Sequence, residues 1–131
     1  MVAYSFQRRF APRIEDGTKC QTIRAHRRRH ARPGEALQLY VGMRTRSCQK
    51  IIPDPLCTSV ERIRLAFDRE GLIYSVIVDR QPVDNLDSFA VADGFGSIAD
   101  MSKFWAAQHG DDLVEFVGVL ISWTPEARVR P

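Results

Sequence analysis

The sequence predicts an α+β domain: a small mixed β-barrel of about six or seven strands, decorated by two or three short helices. Three observations predict it. Short apolar runs with a two-residue period recur along most of the chain. Glycine and proline turn signals separate them. A single clear helical stripe appears only late, near residues 97–108. The 131 residues form one expected domain, 1–131, and a 44% hydrophobic content is enough for a core.

The elements follow in order. Val2 to Phe6 reads as a first strand. Arg9 to Asp16 is a helical turn with Phe10 and Ile14 on one face, ended by Gly17. Cys20 to Arg24 is a strand, and residues 25–34 are a polar loop closed by Pro33-Gly34. Ala36 to Val41 and Ser47 to Ile52 are strands. Cys57 to Phe67 alternates, with Val60, Ile63, Leu65 and Phe67 apolar, and its phase slips near Ile63 as at a bulge. Asp68 to Gly71 turns the chain into Leu72 to Val78, completing a hairpin. Ser88 to Ala92 is a short helix. Residues 97–108 form a second, capped by Ser97 with Asp100 three residues on, and striped by Ile98, Met101, Phe104 and Trp105. Leu113 to Trp123 is the last strand, and both tryptophans are expected in the core.

Several classes are excluded or disfavoured by composition. No apolar run approaches the roughly 18–20 residues of a membrane helix. The first residues lack an apolar signal core, so a soluble cytoplasmic protein is expected. Cys20, Cys48 and Cys57 are odd in number and share no C-x-x-C spacing. His26 and His30 are four apart but lie among arginines, which oppose a bound cation. Neither a metal nor a cofactor is expected.

Charge is distributed unevenly. Residues 1–50 hold twelve Lys/Arg and three Asp/Glu, a net +9; residues 51–131 hold seven and thirteen, a net −6. Such a field attracts phosphates. The alternative is that the acidic half folds back and neutralises it.

The densest chemistry lies in Gly17-Thr18-Lys19-Cys20-Gln21-Thr22-Ile23-Arg24, followed by Arg27, Arg28 and Arg29. Strand parity puts Thr22 and Arg24 on one face and Ile23 on the other. Apolar Ile23 is expected to face the core, which leaves Thr22 and Arg24 on the open side. Lys19 has the wrong parity and must reach Thr22 from a turn. A lysine beside a hydroxyl is a nucleophile–base pairing, provided the lysine is neutral. Arg24 nearby and burial both push it that way. Spacing alone is weak support, because Lys-x-x-Thr is also the pattern of a surface lysine and a strand threonine.

These residues, with Pro33-Gly34-Glu35-Ala36-Leu37-Gln38-Leu39-Tyr40, Gly42-Met43-Arg44-Thr45 and Asp93-Gly94-Phe95 ahead of a helix, resemble the ASCH domain family of the PUA-like superfamily. The matching pieces span most of the chain. Some members are small amidohydrolases that remove the acyl group from acetylated cytidine; others are thought to bind RNA, and some are proposed to cleave it. The resemblance implies a PUA-like barrel and carries the catalytic positions onto Lys19, Thr22 and Asp93. Asp93 is a glutamate in the bacterial amidohydrolases, so one methylene is lost here.

The ligand-binding candidates are Arg24, Arg27, Arg28, Arg29, Arg44 and Phe95. Arg24 either holds a phosphate or carbonyl or pairs with an acid such as Asp93. Arg44 either lines the cleft or is a surface arginine. Phe95, on a glycine-flanked loop, is a candidate to stack on a base; Tyr40 is expected to pack. The first expectation is an RNA or modified-nucleoside binder with a basic cleft. The alternatives are an acetylcytidine amidohydrolase and, without an evident histidine base, a ribonuclease.

Overall fold

The computed structural model describes residues 2–110 and 112–125. Its described residues form eight strands and three α-helices, with a 3₁₀ turn at Arg8–Phe10. The strands are β1 (Val2–Phe6), β2 (Gln21–Ala25), β3 (Leu37–Val41), β4 (Gln49–Lys50), β5 (Cys57–Phe67), β6 (Ile73–Val78), β7 (Gln81–Pro82) and β8 (Glu115–Trp123). The helices are α1 (Ala11–Glu15), α2 (Leu86–Ala92) and α3 (Ile98–His109). The strands make two sheets, ordered β1-β3-β4 and β2-β8-β5-β6-β7, neither closed on itself. The fold is thus mixed α+β. Its contacts cluster into two compact units. Of the described residues, one comprises 2–22, 27–60 and 121–125; the other comprises 23–26, 61–110 and 112–120.

In the first unit, β1 and β3 pair in parallel from Val2↔Leu37 to Phe6↔Val41. Both strands alternate, burying Val2, Tyr4 and Phe6 on one and Leu37, Leu39 and Val41 on the other. A parallel pair needs a long crossover. Here residues 7–36 supply it, and they contain α1, β2 and the basic loop. Antiparallel β4 adds only the two pairs Tyr40↔Lys50 and Val41↔Gln49. The strand expected over residues 47–52 shortens because residues 42–47 are taken up by turns and bends. Within them Thr45 Oγ1 donates to the Gly42 carbonyl at 2.6 Å.

α1 begins with Pro12 in its first turn, where the missing N–H costs nothing. Phe10 and Ile14 are both buried, as their four-residue spacing predicts. Gly17 then takes φ 86°, a left-handed conformation that suits glycine at a helix end.

In the second unit, β5 and β6 form the expected hairpin, paired from Ile63↔Val78 to Phe67↔Ile73. Asp68 Oδ1 accepts the N–H groups of Glu70 and Leu72 and builds the turn. The expected bulge near Ile63 is displaced: the register shifts between Ala66 and Phe67. Cys57, Ile63, Leu65 and Phe67 share one parity and are buried, whereas Val60 has the opposite parity and is only half-buried. The apparent slip came from assigning Val60 to the wrong face.

α3 is capped as expected. Ser97 Oγ accepts the Asp100 N–H at 3.1 Å, and Asp100 Oδ2 reaches back to the Gly96 N–H at 2.9 Å. Met101 and Trp105 are buried. The Trp105 ring packs on Phe116 and His109, at 4.6 and 4.8 Å between centroids. Ser102, between them in sequence, accepts the Ile73 N–H at 2.9 Å and donates to the Ile98 carbonyl at 2.7 Å. That links α3 to β6.

Gly118 on β8 is a position of close backbone approach. A Cβ there would lie 2.3 Å from the Arg24 carbonyl oxygen and 2.7 Å from the Phe116 ring. Gly118→Ala is expected to destabilise the protein by about 1–3 kcal/mol, the usual range for overpacking, as read by urea denaturation.

Candidate functional site

The site is built from the turn that joins α1 to β2. Asp16 Oδ1 accepts the Thr18 N–H at 2.8 Å and the Thr18 hydroxyl at 2.7 Å. The Lys19 N–H donates to the Arg13 carbonyl at 2.9 Å, so the chain folds back along α1. This places Lys19 inside the first unit, with 3% of its surface exposed. Its Nζ donates to the Gln21 carbonyl at 2.8 Å. It also lies 5.7 and 5.1 Å from the ring centroids of Phe6 and Phe10. Both distances are within cation–π range. Lys19 therefore does sit in a turn outside the regular strand, as its parity required.

Thr22 is buried as well, at 5% exposure, whereas Ile23 is only half-buried. The expectation that Ile23 faces the core and Thr22 the open side is reversed. Parity separates the two faces of a strand but does not say which is covered. Cys20, half-buried, donates its Sγ–H to the Gly17 carbonyl at 3.2 Å. Cys57 is buried in the same unit. Burial, the largest influence, pushes its thiol pKa up and away from thiolate chemistry.

The other candidates are divided between the two units. In the second unit, Asp93 is buried at the C-cap of α2, and its N–H donates to the Phe89 and Ala90 carbonyls. Phe95 is 2% exposed and packs on Phe104 at 5.3 Å between centroids. It is a core side chain, which corrects its assignment as a base-stacking platform. The Gly94 turn brings the ring inward rather than presenting it to solvent. Arg24, in the same unit, is half-buried.

The basic loop belongs to the first unit, and two of its three consecutive arginines hold the loop itself. Arg29 forms a two-point ion pair with Glu35, at 3.1 and 2.5 Å, and also donates to the His30 carbonyl at 2.6 Å. Arg27 donates from Nε to the Arg29 carbonyl at 2.9 Å and stacks over the Tyr4 ring at 4.8 Å. Arg29 and Arg27 thus have structural partners as well as exposed surface, and both were expected to contact phosphates. Arg28 and Arg44 are exposed and have no partner among the described residues. Arg44 takes φ 70°, a left-handed conformation uncommon for a side-chain-bearing residue.

Sequence reasoning missed the residues that organise this region. Tyr4, fully buried in β1, accepts the Ala31 N–H at 3.1 Å and bonds to His30 Nδ1 at 3.0 Å. The direction of the bond to His30 follows the imidazole tautomer. A tyrosine at a core position of an amphipathic strand was the available signal, since its hydroxyl needs a partner when buried. Phe6 and Phe10, read as packing residues, also form the aromatic wall around Lys19. Glu35, in the turn signal Pro33-Gly34-Glu35, is the carboxylate that holds the arginine loop.

Among the described residues, no cluster of His, Cys, Asp and Glu is arranged to hold a metal ion. No helix is long and apolar enough to cross a membrane. A cavity of about 240 Å³ lies beside α1, lined by residues including Arg8, Pro12, Glu15, Val41 and Lys50. Lys19 and Thr22 are not among the residues lining it. No protein-family model, curated protein or solved structure matches the chain.

The Arg29 guanidinium, followed by neighbouring N–H donors, holds the Glu35 carboxyl at a pKa of about 2, below its ordinary 4.5. The carboxylate is the form favoured by folding. Its contribution is therefore complete above pH 4.5 and is lost as pH falls toward 2. A carboxyl-carbon NMR titration is expected to show Glu35 titrating near that low value. In Arg29→Gln the midpoint should move back toward 4.5.

Proposed function

We propose that this chain is a PUA-like ASCH domain that removes the acyl group from an acetylated cytidine, with Thr22 as nucleophile and Lys19 as its base. The observation that carries this reading is the burial of Lys19 and Thr22 on either side of Gln21, whose carbonyl takes the lysine's hydrogen bond. A surface lysine and a strand threonine would be exposed or half-exposed. A buried ammonium is costly and needs either fixed partners or a use. Lys19 is also unsuited to contacting a long polyanion, since a phosphate backbone is met at the surface. A small ligand handled in a confined site fits this placement better.

In the proposed reaction, Thr22 Oγ attacks the acyl carbonyl carbon while neutral Lys19 Nζ takes the hydroxyl proton. The tetrahedral intermediate then breaks its C–N bond. The leaving amine takes a proton and departs as cytidine, leaving the acyl group as a threonine ester. Water hydrolyses that ester to a carboxylate and restores the hydroxyl. The resemblance gives Asp93 the role of handling the leaving-group proton, and burial of this carboxyl supports keeping it as a candidate.

A second reading, RNA binding, is favoured by Arg28 and Arg44, which are exposed and have no partner among the described residues. Such contacts would make affinity fall steeply with salt.

Incubation of the purified protein with acetylated cytidine is expected to release cytidine, followed by chromatography. Thr22→Ala and Lys19→Met should each lower kcat by about 10²–10⁴, and Asp93→Asn should lower it measurably. No turnover at high enzyme concentration, or an unchanged rate in Thr22→Ala, would sink the amidohydrolase reading. Salt-sensitive binding of a short RNA in the same preparation would then favour the second one.

A further inference from the structure

Trp123 ends β8 in the same unit as Lys19 and Thr22 and is 3% exposed. Its backbone N–H donates to the Cys20 carbonyl at 2.9 Å, directly beside Lys19 in sequence. Its ring meets Phe6 edge-on, at 6.1 Å between centroids and 72° between planes. Phe6 is also one of the two rings that flank the Lys19 ammonium. Trp123 thus packs on the aromatic wall of the proposed site.

Its indole Nε1 is the one buried side-chain nitrogen or oxygen among the described residues that has no hydrogen-bond partner. Buried N–H groups are nearly always paired, because removing a donor from water without replacing its acceptor is costly. The Phe6 ring face is at best a weak acceptor. Aromatic bulk alone would be supplied by phenylalanine without that cost. The tryptophan therefore carries a donor that no described protein group takes.

We infer that the Trp123 indole N–H is a ligand-binding group that donates to a carbonyl oxygen of the bound substrate. This rests on the amidohydrolase reading for the identity of the substrate, but the donor itself follows from Trp123. Indole nitrogen only donates, so it accepts carbonyl ligands and rejects amino groups at that point. An acylated cytidine offers two such oxygens, on the acyl group and on the pyrimidine ring.

Indole ¹⁵N–¹H spectra of the full chain test this. There are two tryptophans, and Trp105, packed on Phe116 and His109 in the other unit, serves as the reference. Titration with acetylated cytidine and, separately, with acetamide as the bare amide should shift the Trp123 indole signal downfield to saturation and leave Trp105 nearly still. If acetamide shifts it while acetylated cytidine perturbs no resonance, the donor stands and the substrate assignment fails. If neither ligand moves the Trp123 signal, the donor role is overturned. Trp123→Phe keeps the ring and deletes the donor. It should weaken whichever ligand binds by about tenfold, the worth of one neutral hydrogen bond, with the melting temperature held or raised. Unchanged affinity in this variant overturns the inference, whatever the melting temperature does.

Discussion

The buried ammonium of Lys19 is the constraint around which the first unit is arranged. A charge taken out of water must be given partners, and here they come from several places in the chain. The Gln21 carbonyl at the start of β2 accepts its hydrogen bond, while Phe6 from β1 and Phe10 from the 3₁₀ turn offer their ring faces. The Arg13 carbonyl of α1 fixes the lysine backbone. Moving any of these elements would leave a buried charge less well compensated. This also explains the turn chemistry ahead of it. Gly17 at φ 86° and the Asp16–Thr18 hydrogen bonds reverse the chain so that Lys19 points back at the rings rather than out to solvent.

The basic run shows how net charge misleads when it is read without partners. Arg29 meets Glu35 at two points, and Arg27 is stacked on Tyr4. Tyr4 in turn anchors the loop through the Ala31 N–H and His30. The loop is thus tied to the core strand β1 by a buried hydroxyl and to Glu35 by an ion pair. A sequence count assigns all three consecutive arginines to a ligand; the geometry leaves Arg28 and, after β3, Arg44 as the candidates with no internal partner.

How much was legible in the sequence depended on how far apart the deciding residues lie. Two-residue alternation located β1, β3, the β5–β6 hairpin and β8, because the signal is local. The Ser97–Asp100 cap was equally local and equally readable. The two-residue strands β4 and β7 are too short to carry a pattern, and β7 was missed. Parity divided β2 into two faces, but which face is covered is decided by other elements, so Thr22 and Ile23 were assigned the wrong way round. Val60 failed for the same reason, being apolar yet on the less buried face of β5. Phe95 looked available because glycine precedes it; a glycine turn also lets a chain direct a ring inward, onto Phe104. The roles of Tyr4 and Glu35 depend on partners 26 and 6 residues away, which no local window ties together.

Ser102 and Trp123 show how buried polar groups can be told apart. The Ser102 hydroxyl both accepts from Ile73 and donates to Ile98, so its polarity is fully explained by joining α3 to β6. Replacing it by an apolar residue would remove a structural bond, and nothing further need be sought there. Trp123 is as deeply placed, yet its N–H has no partner among the described residues, so the fold gives no reason for tryptophan over phenylalanine. Lys19 is buried too, and its partners include one carbonyl and two ring faces. The chemistry proposed for Thr22 asks more of this lysine than a structural role does, since a base must give up its proton before it can take one from the hydroxyl.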